Sequence, residues 1–291
     1  MKADIIWLRS TDSTNEEARR RLSDIDNLSV LSAYEQTAGR GQRGNRWSSA
    51  PGENLTFSIV LKFATPDMHN GRKDLLPEIK ACAQFVLTQI ASLSVIDFLL
   101  SYGIKGQIKW PNDIYVGPEK ICGMLIENSI RGNHISSSII GIGLNINQRN
   151  FEVTLTNPTS MVLACRKKVS TDDPANDLTD FDLKRCLEKL TDIFTRRIKD
   201  YFSAPAQSIR EEYISHLWRL NETADLVDYT SLPSGHLEGP SNPVMNSGPS
   251  PGRQFTGIIR GVTPSGMLMV EDIEKGELKE FAFKEIGYIL K

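Results

Sequence analysis

The chain has 291 residues, 40% of them hydrophobic and 24% charged, with a formal net charge of −2. That length supports a sizeable core, most simply one large domain plus a small one, and the near-neutral balance excludes a global basic field for nucleic acid. Cys82, Cys122, Cys165 and Cys186 form no C-x-x-C pair and the four histidines fall in no metal spacing, which argues against a disulfide scaffold or a zinc enzyme. No signal peptide or bilayer-spanning run is expected, so the reading is cytoplasmic, with no membrane and no nucleic-acid partner.

In chain order, DIIWL reads as a short strand. TDSTNEEARRRLSD opens a helix, because Ser13-x-x-Glu16 and Thr14-x-x-Glu17 both fit a capping box. LSVLSAYEQT alternates like a strand running into GRGQRG, Gly39 to Gly44, and NLTFSIVLKF is the next strand. LPEIKACAQFVLTQIASLSVIDFLLSYG predicts one long helix with Pro77 in its first turn and Gly103 at its end. Three strands follow, QIKWPNDIYV, ICGMLIENSI and SSSIIGIGLNIN, joined by turns at Gly117-Pro118 and Arg131-Gly132-Asn133 into an antiparallel meander. Helical patterns return at Ser160 to Lys168, Asp182 to Phe202 and Ile209 to Leu217. Ser231 to Gly252 is rich in Pro, Gly and Ser and reads as a flexible loop. ADLVDYT before it and the short strands after it suggest a small β-barrel.

The glycine spacing of GRGQRG is that of a dinucleotide fingerprint. That reading needs a helix directly after the glycines, and here NRWSSAPGEN leads into a strand. A P-loop fails as well, since Asn45-Arg46 stands where Lys-Ser or Lys-Thr is required. What remains is a loop carrying Arg40, Arg43 and Arg46, equally compatible with an anion site and with a solvated turn. Trp47 fits core packing or stacking on a flat ligand. KWPND is a strand-edge turn or a ligand-binding bend, and GIGLN a bulge or a close approach by a ligand. Ser13 and Thr14 alone are simply helix caps.

DSTNEEA, QTAGRGQRGNRW, KWPNDIYV, PEKICGMLIE and GIGLNIN, in this order, together resemble the biotin–protein ligase family across nearly the whole chain. The resemblance implies an α/β (α+β) fold: a catalytic domain over residues 1–219, related to class II aminoacyl-tRNA synthetases with helices against a mixed sheet, and a small SH3-like barrel over 220–291. It implies joining of biotin to ATP as biotinyl-5′-AMP with release of pyrophosphate, Mg²⁺ accompanying the nucleotide. Biotin then passes to a lysine of a biotin carboxyl carrier domain of a carboxylase. The ligase would be a monomer or a homodimer. The STN motif at Ser13 leaves no room for the helix-turn-helix some members carry.

By similarity, Ser13, Thr14, Asn15 and Gln36 would form the biotin end of the pocket. Gly39 and Arg40 would contact the biotin carboxyl and the adenylate phosphate, and Lys120 would reach both. Gly123, Gly141, Gly143 and Leu144 would supply backbone and apolar walls. Trp47, Arg43, Asn112, Asp113 and Asn145 would lie on the adenylate side. Family loops commonly read GRGRRG, so Gln42 stands in place of an arginine, and looser retention of the adenylate is expected.

The chemistry fits these residue types. A buried ureido ring needs polar partners. Attack of a carboxylate on a phosphate needs positioning and positive charge rather than a side-chain nucleophile, so Arg40 and Lys120 are the expected catalytic cations. Asp113 is the expected proton acceptor for the incoming amine. The rival readings are a lipoate–protein ligase or related acyltransferase of the same fold, and a ligand-responsive DNA regulator.

Overall fold

The structure, a computed structural model, describes residues 4–66, 74–166, 179–203, 206–230 and 252–289, with Arg43 and Ala206 described by backbone alone. The loop expected at Ser231 to Gly252 lies outside the described residues except for Gly252, as does the end of the helix expected at Ser160 to Lys168.

Two sheets organise the chain. In the first, β1 (Ile5–Leu8), β2 (Val30–Ala33), β3 (Leu55–Lys62), β4 (Gln107–Lys109), β5 (Asp113–Val116), β6 (Glu119–Arg131) and β7 (His134–Leu144) lie in the order β1-β2-β3-β7-β6-β5-β4. Only β1 and β2 run parallel, joined by the crossover helix α1 (Thr14–Arg20), so the sheet is mixed. The helices α2 (Phe85–Leu100), α3 (Met161–Arg166), α4 (Leu183–Ser203) and α5 (Ala206–Ser215) follow in the chain. The second sheet is antiparallel: β8 (Thr223–Asp228), β9 (Arg253–Val262), β10 (Leu268–Asp272), β11 (Glu277–Phe281) and β12 (Ile286–Tyr288), ordered β11-β10-β9-β8-β12.

The alternation of β3 decides the layering. Leu55, Phe57, Ile59 and Leu61 point into the main core, each contributing about 1.5–3 kcal/mol by burial. Thr56, Ser58 and Val60 face the opposite side, where Val60 joins Leu31, Ile139 and Ala18 under α1. α2 is apolar on every side and is packed against α4 and α5, as a core helix should be. Residues 81–100 do reach the length and apolarity of a membrane-crossing helix, with a mean hydropathy of 1.6, contrary to the sequence expectation; their burial in the core accounts for that composition.

Three local expectations are corrected. The long helix starts at Phe85 and not near Pro77, because the Ile79 carbonyl and the Ala81 amide bond the backbone of the β6–β7 hairpin at Ile135 and Asn133. QIKWPNDIYV is two strands, with Trp110-Pro111 (a cis peptide) and Asn112 in the turn between them. The capping box does not form. Ser13 is the N-cap residue but caps with no side chain; its own amide donates to Asp12, while Glu16 and Glu17 pair with arginines.

The two sheets meet through aromatic residues. Trp110 Nε1 donates to the Gly266 carbonyl at 2.9 Å, Trp218 Nε1 to Gly117 at 3.0 Å, and Tyr213 Oη to Pro111 at 2.8 Å. Behind the junction, Arg197 of α4 bonds Asp97 of α2 at 2.6 Å and forks onto Glu212 of α5 at 2.7 and 3.0 Å. Its side chain is only 16% exposed, so truncation strands two carboxylates against the helix bundle. Arg197→Ala should lower the unfolding free energy by about 2 kcal/mol in urea denaturation, with Arg197→Lys recovering part of it.

Candidate active site

Register across the first sheet builds the site. Thr56, Gly143, Gly123, Asp113 and Lys109 are successive cross-strand partners on β3, β7, β6, β5 and β4. The neighbouring row holds Ser58, Gly141 and Leu125. On the adjacent strands β7 and β6 three of the four residues facing away from the core in these two rows are therefore glycines, Gly141, Gly143 and Gly123, with Leu125 the fourth, and they leave a trough in the sheet. The trough has a volume of about 780 Å³ and is bordered in part by Ile286 and Tyr288 of β12 and by Phe283 in the turn before it.

The Trp47 indole lies on this floor. A Cβ at Gly143 would stand 2.2 Å from its ring and one at Gly123 3.0 Å, so the two glycines create the seat. Trp47 is tied back by its amide, which donates to the Gly39 carbonyl at 3.0 Å. Between them the arginine-bearing loop closes on itself: Arg40 bridges Arg46, and the Gly41 amide donates to the Asn45 carbonyl at 2.7 Å around a single 3₁₀ turn, Gln42–Gly44.

One end of the trough is neutral and polar. Ser13, Thr14 and Asn15 at the start of α1 are each buried. Gln36 Oε1 accepts the Thr14 amide at 2.8 Å, which leaves its Nε2 as a donor. Asn15 rests on Gly141, whose Cβ would fall 2.3 Å from Asn15 Oδ1. Its amide donates to Glu127 at 2.8 Å and to the Leu125 carbonyl at 3.2 Å, and its oxygen accepts from Ser58 at 2.6 Å. Ser58 and Glu127 are positioning residues that sequence reasoning missed. Alternation along β3 and β6 places them on the trough face, but nothing local marks them.

The middle is cationic. Lys120 Nζ lies 2.7 Å from Asp113 and 6.0 Å from the centre of the Trp47 ring. Arg40 is ion-paired with Glu16 and lies 3.9 Å from Glu127. Asn112 sits in the β4–β5 turn with its amide donated to the Met124 carbonyl, and Asn145 donates to the Thr159 carbonyl at 2.9 Å. The backbone of Asn157 to Thr159 runs along Lys120, a wall absent from the sequence reading. Buried polar atoms without a hydrogen-bond partner among the described residues include Trp47 Nε1, Gln42 Oε1, Asn145 Oδ1 and Thr156 Oγ1, all on the lining. Each such atom costs about 1–3 kcal/mol when left unpaired, so they favour a polar ligand.

Of the residues expected at the site, two are not on the wall and one is not described there. Leu144 is corrected: it is fully buried and, by parity with Gly143, points into the core on the opposite face. Gly39 lies behind the wall, where a Cβ would stand 2.5 Å from the Trp47 carbonyl oxygen. The Arg43 side chain lies outside the described residues. Lys109, quoted in KWPND but given no role, is on the wall. No group of three metal-ligating side chains occurs among the described residues.

Comparison with known proteins adds to this geometry. Residues 7–145 match the Biotin/lipoate A/B protein ligase family. A biotin–[acetyl-CoA-carboxylase] ligase of Paracoccus denitrificans is 34% identical over 142 residues, covering 48% of this chain and 53% of the relative. The bifunctional ligase/repressor BirA of Bacillus subtilis is 29% identical over 213 residues, 71% of this chain and 57% of the relative. The matched part thus spans about half the length of these relatives. Among solved structures, the biotin protein ligase of Aquifex aeolicus in complex with biotin and ATP shares the fold, with a TM-score of 0.67, 23% identity and 99% of each chain covered.

The floor yields a direct check. Gly143→Ala should displace the Trp47 indole, seen as a change in tryptophan emission that is absent when the same substitution is made in a Trp47→Phe background; unchanged emission in both would contradict the seat.

Proposed function

We infer that this chain, whose residues 7–145 match the Biotin/lipoate A/B protein ligase family, is a biotin–protein ligase that makes biotinyl-5′-AMP and transfers biotin to a lysine of a carboxylase carrier domain. The observation that carries this reading is one trough with a neutral polar end at Asn15 and Gln36 and a cationic middle at Arg40 and Lys120. A molecule with an uncharged hydrogen-bonding head and a carboxylate tail fits that order of surfaces. The relatives include a biotin–[acetyl-CoA-carboxylase] ligase, and a protein of the same fold holds biotin and ATP together.

In the first step a carboxylate oxygen of biotin bonds the α-phosphorus of ATP, the bond to the bridging oxygen breaks, and pyrophosphate leaves. Arg40 and Lys120 supply positive charge where the two anions meet. Mg²⁺ entering with the triphosphate would add positive charge against the leaving pyrophosphate. Trp47 covers the glycine floor and excludes water from the mixed anhydride. In the second step the carrier amine bonds the acyl carbon, the bond to the phosphate oxygen breaks, and AMP leaves. Asp113 aims Lys120; once Lys120 turns to the ligand, its carboxylate is free to take the amine proton.

With this function the chain would have a class II synthetase-like catalytic domain over 1–219 and an SH3-like barrel over 220–291, as a monomer or homodimer. Its four cysteines are free, which supports a cytoplasmic setting.

Purified protein with Mg-ATP should release pyrophosphate when biotin is added and not when lipoate is. The absence of biotin-dependent release would overturn the reading. Arg40→Ala and Lys120→Ala should each lower kcat/KM by about a hundredfold. Gln42→Arg should slow escape of the acyl-adenylate, measured as radiolabel retained on the protein after gel filtration; equal retention would remove Gln42 from adenylate holding.

A further inference from the structure

We propose that Glu16 is a positioning residue of the site, a built-in competitor that surrenders Arg40 only to a ligand carrying an anion; that the anion belongs to biotin or its adenylate rests on the ligase reading. Arg40 lies on the trough wall and Glu16 stands outside it. The spacing Ser13-x-x-Glu16 predicts that Glu16 reaches back to the Ser13 amide, but that amide donates to Asp12 at 2.8 Å. Glu16 turns across to the loop instead, where its Oε1 accepts from Arg40 Nη1. One carboxylate at the start of α1 thereby ties down the loop that carries Arg40, Gln42 and Arg46.

The two residues belong to a cluster of two guanidiniums and two carboxylates. Arg19 Nη1 lies 2.7 Å from both oxygens of Glu16, and its Nη2 lies 2.7 Å from Glu127 Oε1. Arg40 Nη2 stands 3.9 Å from the same Glu127 oxygen, so the charges of the cluster balance among themselves. Arg19 keeps hold of both carboxylates when Arg40 leaves, and Glu16 can release Arg40 without being stranded. A ligand shifts this balance only by what it offers Arg40 in exchange. A carboxylate or phosphate oxygen replaces the lost ion pair with another charge-assisted bond, and an uncharged group does not. The side chains of Arg40 and Glu16 are 46% and 27% exposed, so the pair is screened and its hold is modest. Such a hold is weak enough for an anion to break and strong enough to bias the loop toward α1.

Calorimetric titration of biotin and of biotinol, its uncharged alcohol, into the full chain tests this. Glu16→Gln removes the charge and keeps the shape; it should tighten biotin by roughly three- to fivefold and leave biotinol unchanged. In an Arg40→Met background the same substitution should change neither affinity. Unchanged or weaker biotin binding in Glu16→Gln, an equal gain for biotinol, or a gain that persists without Arg40 would each overturn the proposal. Trypsin digestion of the chain without ligand reads the hold on the loop independently. Cleavage after Arg40, Arg43 and Arg46 should be several-fold faster in Glu16→Gln, and an equal rate would overturn the proposal as well. Should the wild type bind no biotin at all, the ligase reading falls alone, and the digestion still decides the Glu16–Arg40 pairing.

Discussion

The site depends on the absence of two side chains at the centre of a sheet. Gly123 and Gly143 are direct cross-strand partners, and the Trp47 indole occupies the space their side chains would fill. The constraint reaches outward from there. The Trp47 amide closes the loop that presents Arg40, and Lys120 is held across the indole by Asp113, the next partner in the row. A floor of interior strands is among the most rigid platforms a fold offers, and the ligand-facing groups are hung from it by short tethers. Asn15 on Gly141 repeats the device one row away.

The second sheet is not an appendage to this arrangement. Trp110, in the turn of the KWPND segment, donates to Gly266, and Trp218 packs at a tilt between Tyr115 and Tyr288. The outer edge of β4 is closed by backbone bonds, the Ile108 amide donating to the His216 carbonyl at 2.7 Å and the Trp218 amide to the Ile108 carbonyl at 2.8 Å, and the aromatic junction beside it places Tyr288 over Lys109. Burial of a lysine at that seam is a cost to stability. Because its protonated form is the disfavoured one in the fold, that cost eases as pH rises from about 8 toward the unfolded-state value.

Much of the fold was legible because it is written in local periodicity: the alternation of β3, the two-residue turns at Gly117 and Gly132, where φ is +59° at both, and the amphipathic pattern of α4. What failed were features decided by partners distant in sequence. The start of α2 is set by hydrogen bonds to the β6–β7 hairpin some fifty residues later, and Ser13 looks like a cap although its neighbour Thr14 gives its amide to Gln36. The site divides the same way. Motif residues such as Arg40, Lys120 and Gly141 converge on one trough, because their spacing tracks the strand order. Leu144 was misplaced by a single step of strand parity. Ser58 and Glu127 were invisible because only cross-strand register brings them to the trough face, and the Phe283 to Tyr288 segment because only the packing of the second sheet against the first brings it to the trough.

The central claim is that this single trough activates biotin and delivers it to a protein lysine. The most direct measurement is intact-mass spectrometry of a biotin carboxyl carrier domain incubated with the chain, biotin and Mg-ATP. The account predicts the mass gain of one biotinyl group on one lysine, dependent on ATP and not reproduced with lipoate. No mass gain, or a gain with lipoate alone, would contradict it.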